Sequence, residues 1–264
     1  MSRALPVYQV DAFTSTVFAG NPAAVCPLEE WLDDHTLQAI AAENNLSETA
    51  FLVPERDDYA IRWFTPLVEV SLCGHATLAS AYVAFEKLGV PGAELVFRSR
   101  RSGCLPVRRA ADLLMMELPV RLPRPLDDPP DIAGAVGVLP QDAFTSEEGD
   151  LLVVLASEAE VRAVSPDLGQ IAAWPYRGLI VTAPGDDCDF VSRFFAPAVG
   201  VPEDPVTGSA HCVLAPYWGE RLGRRELLAR QVSRRGGELM CEHRGHRVGI
   251  AGHAALYMEG TIYV

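Results

Sequence analysis

Nothing in this chain marks it for a membrane, a nucleic acid or an oxidising compartment. No window approaches the roughly 18 uninterrupted apolar residues of a membrane helix. The opening Met1-Ser2-Arg3-Ala4-Leu5-Pro6 runs straight into an alternating segment, without the long apolar stretch of a signal peptide. A surplus of Lys and Arg is also missing. The formal charge is −13, which argues against nucleic acid or an anionic membrane surface as partner, although arginines cluster at Arg98 to Arg101 and at Arg221 to Arg235. Six cysteines (Cys26, Cys73, Cys104, Cys188, Cys212, Cys241) are scattered without a CxxC pair, so neither a disulfide framework nor a structural zinc cluster is indicated. A soluble, cytoplasmic protein with reduced thiols is expected.

What the chain does have is a duplication. Arg62-Trp63-Phe64-Thr65-Pro66 leads to Cys73-Gly74-His75-Ala76 and an apolar run, and 131 positions later Arg193-Phe194-Phe195-Ala196-Pro197 leads to Thr207-Gly208-Ser209-Ala210 and another. Each copy reads as a strand, a Pro-containing loop and a helix, here about Gly74 to Leu88 and about Gly208 to Trp218. Both helices are apolar on most sides, which predicts burial, and their small first residues leave backbone N–H groups open at the start. Short strands are predicted around each, among them Val7 to Phe13, Ala50 to Val53, Leu113 to Leu118, Gly178 to Ala183 and Ala254 to Val264, and Asp33 or Asp34 caps a further helix. Five prolines crowd between Pro119 and Pro130, too dense for a ladder or a helix. They predict a connection between two lobes, 1–118 and 119–264, the last strand having the option of packing back on the first lobe. With 264 residues, 49% of them apolar, the chain can bury a full core. An α+β protein with two pseudo-symmetric lobes and a site between them, built for a small carboxylate, is the expectation.

Several side chains, Glu48 at the mouth of a short strand and others at the helix starts, could carry chemistry, and each has a plainer reading. Glu48 is either a partly desolvated general base or a solvated loop carboxylate. His75 either donates to a substrate oxygen or bonds a loop carbonyl. Cys73 is a dipole-activated thiolate or a small buried residue. Thr207 or Ser209 is an N-cap, and Asp204-Pro205 a turn, unless their symmetry with Cys73-Gly74-His75 is functional. Cys241, His243 and His246 lack a fourth ligand and are not read as a metal site. His211 and Cys212, one step inside the second helix, are read as core.

Asn45-Leu46-Ser47-Glu48-Thr49-Ala50-Phe51, Arg62-Trp63-Phe64-Thr65-Pro66 with Glu69-Val70, Cys73-Gly74-His75-Ala76-Thr77 and Asp204-Pro205-Val206-Thr207-Gly208-Ser209-Ala210-His211 together resemble the PhzF family of phenazine-biosynthesis-like isomerases. Gly20-Asn21-Pro22-Ala23-Ala24-Val25 and the closing 252–260 segment also fit. The resemblance implies a diaminopimelate epimerase-like fold, each lobe a strand-rich barrel on a central helix, and a homodimer. It implies Glu48 as general acid/base, with His75, Asp204 and Ser209 as catalytic partners. Asn21, Cys73, Gly74, Thr207 and Gly208 complete the expected substrate contacts, with no metal or organic cofactor. One departure stands out: Cys73 occupies the place of the first catalytic thiol of related epimerases, while the place of their second is Pro205. A two-thiol racemase is therefore short of one base, and an epimerase pairing Cys73 with a carboxylate, or a binding protein without turnover, remain as alternatives.

Overall fold

In the first strand Leu5 and Val7 are buried while Ala4 and Pro6 are exposed, the period-two alternation of a half-covered strand. The computed structural model describes residues 3–56, 58–147 and 149–264. In chain order the elements begin β1 (Ala4–Ala12), β2 (Asn21–Pro27), α1 (Asp34–Asn44), β3 (Glu48–Glu55), β4 (Asp58–Phe64), β5 (Glu69–Val70), α2 (Gly74–Glu86), β6 (Glu94–Ser99), β7 (Gly103–Ala110) and β8 (Leu113–Pro119). They continue with β9 (Arg124–Pro125), α3 (Ile132–Val136), β10 (Asp142–Thr145), β11 (Asp150–Val154), α4 (Glu158–Ala163), α5 (Leu168–Ala172), β12 (Gly178–Pro184) and β13 (Phe190–Ala196). Last come β14 (Val201–Asp204), α6 (Gly208–Leu222), β15 (Glu226–Gln231), β16 (Gly237–Arg244), β17 (Arg247–Gly252) and β18 (Ala254–Tyr263). Two compact units result: Met1–Glu117 with Ala251–Val264, and Leu118–Ile250. The closing segment lies in the first unit because β18 pairs antiparallel with β1 along its length.

The duplication extends to strand pairing. In the first unit β1 and β2 are antiparallel, β2 and β3 parallel, β3 and β4 antiparallel, β4 and β5 antiparallel, β4 and β6 parallel, and β6 and β7 antiparallel. The second unit repeats this order with β10, β11, β12, β13, β14, β15 and β16. Even the ion pair that heads each repeat recurs. Arg62 grips Glu69 through Nε and NH2 at 2.8 and 2.9 Å, and Arg193 grips Glu203 at 2.7 and 3.1 Å. Each guanidinium also covers a ring, Phe64 or Phe195. Bidentate pairs of this kind pin the strand to the loop that leads into the helix start.

The α2 helix packs against β1, β2, β3 and β18, and α6 against β15 and β16. Alanines at 76, 79, 81 and 84 let strands approach α2 closely, and Leu78, Val83 and Phe85 fill the remaining space; each large side chain buried there contributes roughly 1.5–3 kcal/mol. Its buried hydroxyls are satisfied within the helix, Thr77 donating to the Cys73 carbonyl at 2.6 Å and Ser80 to that of Ala76 at 2.7 Å. The interior Pro216 of α6 has no N–H to give the Cys212 carbonyl, which instead accepts from Arg121 N at 3.0 Å. Among the described residues no helix is long and apolar enough to cross a membrane.

Three expectations need correction. The proline-rich stretch was expected to exclude a ladder, yet Arg124 and Pro125 form the short β9 against Thr145 and Phe144; two residues at a sheet margin tolerate a missing donor. The helices α3, α4 and α5 between 132 and 172 are absent from the sequence reading, being single turns too short to show a period. The strand β15 is likewise absent from it, because its arginines read as part of a basic cluster.

Candidate active site

Four helices begin with a side-chain cap: Asp33, Asp131, Ser157 and Asp167 each accept from a backbone N–H of the first turn. The two long central helices do not. Cys73 at the start of α2 and Thr207 at the start of α6 sit in extended backbone with no side-chain cap bond. Helix starts left this way keep their donors and dipole ends available to an anion.

At the α2 start four of the expected residues converge. Parallel pairing sets Ala23 beside Glu48, so Asn21 at the head of β2 and Glu48 at the head of β3 reach the same point. His75 lies beneath them on the second residue of α2. Its Nδ1 is 3.1 Å from Asn21 Nδ2, and its Nε2 is 3.3 Å from Glu48 Oε2. An amide nitrogen only donates, so Nδ1 accepts and the ring proton is assigned to Nε2, which lies close to Glu48 Oε2 but outside hydrogen-bond geometry. Cys73 Sγ completes the group at 3.5 Å from Nδ1 and 4.0 Å from Nε2. Burial drives the His75 pKa down to about 3, so the contact with Glu48 is a neutral imidazole to a carboxylate and not an ion pair. The Glu48 side chain is 18% exposed and that of His75 6%. Glu48 is therefore a strand residue held in a partly buried setting, and the plainer reading as a solvated loop carboxylate does not describe it. Glu48, Cys73 and His75 offer donor atoms within 4.8 Å of one another, the one such group suited to a metal among the described residues; Cys241 is buried, and His243 Nε2 is taken up by the Gly245 carbonyl at 3.0 Å.

The α6 start gathers the others. Thr207 Oγ1 donates to Asp204 Oδ2 at 2.5 Å, and Thr207 N donates to Gln231 Oε1 at 2.8 Å. Gln231 Nε2 returns to the Asp204 carbonyl at 2.6 Å. Thr207 thus holds the cap position but spends its hydroxyl on Asp204. Ser209 Oγ lies 3.4 Å from Arg177 NH2, and that guanidinium is clamped by the fully buried Asp150 at 2.9 and 2.5 Å. Gly74 and Gly208 are the first residues of the two helices. His211 is core, as read: its Nδ1 donates to the Thr207 carbonyl at 2.8 Å, and burial lowers its pKa to about 4.

Sequence reasoning missed Arg177, Asp150 and Gln231. Gln231 sits on the missed strand β15, and nothing in the spacing of Asp150 and Arg177 signals that they meet. By cap position the counterpart of Cys73 in the repeat is Thr207, and like Pro205 it is no thiol. A second asymmetry is sharper. Ala23 pairs with Glu48 and, in the repeat, Asp150 with Gly178, so glycine stands where Glu48 would recur. A Cβ at Gly178 would come within 2.5 Å of Phe194. A side chain there would require the Phe194 ring to move.

The profile of the phenazine biosynthesis-like protein family matches residues 10–260. The chain belongs to the PhzF family. An uncharacterized isomerase of Pseudomonas aeruginosa is 52% identical over 260 residues, covering 98% of this chain and 99% of its own. The crystal structure of a PhzF-family phenazine biosynthesis protein from Enterococcus faecalis superposes with a TM-score of 0.96 at 47% identity, covering 99% of this chain and 100% of that one. A hydroxyproline epimerase from Agrobacterium vitis, solved with bound trans-4-hydroxy-L-proline, shares the fold at a TM-score of 0.67 and 10% identity over 99% of this chain and 93% of that one. The expected epimerase-like α+β fold is thus the one found, and this PhzF-family chain belongs with proteins named isomerases.

Proposed function

We propose that the protein is a cofactor-independent isomerase of a small carboxylate-bearing substrate, with Glu48 as the proton shuttle. The observation that carries this reading is the gathering of Asn21, His75 and the partly buried Glu48 beside an uncapped helix start. Glu48 takes a proton from the carbon next to a carboxylate or carbonyl; the C–H electrons move onto the carbonyl oxygen as an enolate. The open N–H groups at Gly74 and His75 face that developing charge. Neutral His75, its Nε2 3.3 Å from Oε2, lies against the carboxylate without adding a full opposing charge. The protonated Glu48 then returns the proton to another carbon, so atoms balance and no further reactant is needed. Asp204, Thr207, Gly208 and Ser209 are assigned to the same substrate, and a cytoplasmic homodimer is part of the same reading. Light scattering and cell fractionation check the last two.

The test is Glu48→Gln. The amide keeps shape but accepts no proton, so exchange of solvent deuterium into a turned-over acid should vanish while affinity stays within about tenfold, or about 1.4 kcal/mol. Wild-type exchange in the variant sinks the assignment. One observation favours a second reading: Cys73 Sγ also contacts His75, which suits an epimerase pairing that thiol with Glu48.

A further inference from the structure

Glu48, Cys73 and His75 bring one carboxylate, one thiol and one imidazole to a single point. We propose that these three side chains form a capture site for a zinc-like divalent transition ion, and that such an ion blocks the proton-transfer cluster. The donor types decide the class of ion. Nitrogen and sulfur donors suit Zn2+ and its neighbours, whereas Mg2+ and Ca2+ require oxygen shells.

Geometry and charge agree with that choice. A tetrahedral ion with bonds of about 2.0 Å to oxygen and nitrogen and about 2.3 Å to sulfur sets its nitrogen and oxygen ligands about 3.3 Å apart and its nitrogen and sulfur about 3.5 Å apart. His75 Nε2 and Glu48 Oε2 are already 3.3 Å apart, and Cys73 Sγ is 4.0 Å from the same nitrogen. The Nε2–Sγ separation exceeds the tetrahedral value by about half an ångström, and because all three donor atoms lie within 4.8 Å of one another, the thiol closes on the carboxylate by at most about 1.3 Å, a movement that rotation about its χ1 bond can supply. An ion takes His75 as the neutral imidazole, through Nε2. Its remaining proton shifts from Nε2 to Nδ1, where a rotated Asn21 amide presents its oxygen. Cys73 releases its S–H proton to solvent on forming the S–metal bond. One thiolate and one carboxylate then cancel the charge of the dication, which favours its retention among side chains as buried as Cys73 and His75. Three protein ligands leave a fourth position for water, the pattern of an open site.

The metal site stands on the donor set and does not depend on Glu48 being the shuttle; only the inhibitory consequence rests on the isomerase reading. The experiment titrates the chelator-treated full-length protein with Co2+, then displaces it with Zn2+. Expected are one ion per chain, the visible bands of tetrahedral Co2+, a thiolate-to-cobalt charge-transfer band in the near ultraviolet, and release of one proton per ion. Cys73→Ser should abolish the charge-transfer band, and Glu48→Gln should keep it while weakening affinity at least tenfold. In the unaltered protein, Zn2+ should shield Cys73 from iodoacetamide, read by peptide mass mapping, so no variant has to fold for the test to decide. Absence of the thiolate band, its persistence in Cys73→Ser, or alkylation of Cys73 at an unchanged rate with Zn2+ bound each overturn the site. If Zn2+ occupies the site and turnover continues unchanged, the metal site is upheld and the assignment of Glu48 as shuttle fails instead.

Discussion

Lowering the pH from 7.5 to 5 should destabilise each unit of this protein by about 2 kcal/mol through a single buried histidine. His75 in the first unit and His211 in the second are held neutral by burial, with pKa values of about 3 and about 4. In the unfolded chain each imidazole ionises near 6.5. A depressed histidine pKa means that the unfolded state takes up the proton first, so the native state is at full advantage above pH 6.5 and loses it as pH falls toward the folded pKa. At pH 5 the unfolded ring is favoured by a factor of about 30 through protonation, and RT ln 30 is about 2 kcal/mol per histidine. The carboxylates whose pKa values are lowered by their partners, Glu69 by Arg62, Glu158 by the Asp186 N–H and Glu242 by Arg244, act in the same direction but in another window. Their contribution is present above the unfolded carboxylate pKa of about 4.3 and is lost only below it. Urea unfolding followed at pH 7.5, 6.5, 5.8 and 5.0 should therefore show a falling midpoint; for an m-value of about 3 kcal/mol/M the shift is about 0.7 M for each unit that unfolds separately. His211→Gln, which cannot titrate, should flatten the pH dependence of the second unit even if its stability at pH 7.5 is lower. A stability that stays flat from pH 7.5 to 5, or a slope unaltered by His211→Gln, would refute the claim that these rings are neutral because they are buried.

Two further outcomes follow from the same geometry. Arg177→Met removes the only cation clamped on the fully buried Asp150 among the described contacts; because Arg177 itself is about one-third exposed, a loss of about 2–3 kcal/mol is expected, below the full cost of breaking a buried pair. Adding Asp150→Asn should recover part of it, and a double-mutant cycle by denaturation that shows no coupling would contradict the clamp. Cys73→Ala should keep turnover within about tenfold of the parent, since neither Thr207 nor Pro205 supplies the partner thiol of a two-thiol enzyme. Steady-state kinetics showing complete loss of turnover in a folded Cys73→Ala protein would transfer the base to the thiol.

By itself the sequence determined the family, the α+β duplication, the two buried helices and the residues clustered at their starts. Those features are local: a period along the helix, a turn residue, a motif repeated 131 positions on. The local signal identified Cys73 and His75 as residues of one helix start, and the family resemblance added Glu48, but neither showed that Asn21 would reach the imidazole or which nitrogen each partner would take. That depends on the parallel register of β2 with β3, a pairing of residues some 25 positions apart in the chain. Tertiary structure also decided the chemistry of individual groups, because burial, not residue type, makes His75 and His211 neutral. It assigned Arg62 and Arg193, visible only as the first letters of a repeat, to bidentate clamps on Glu69 and Glu203. It placed Asp150, Arg177 and Gln231 at the α6 start from three separate strands and loops, where no spacing could announce them. Finally it separated the two copies: a glycine pressed against Phe194 stands where the first copy has Glu48. A repeat that looks symmetric in sequence thus carries a carboxylate at this strand head in the first copy alone, because side-chain volume across neighbouring strands is set only when the chain is folded.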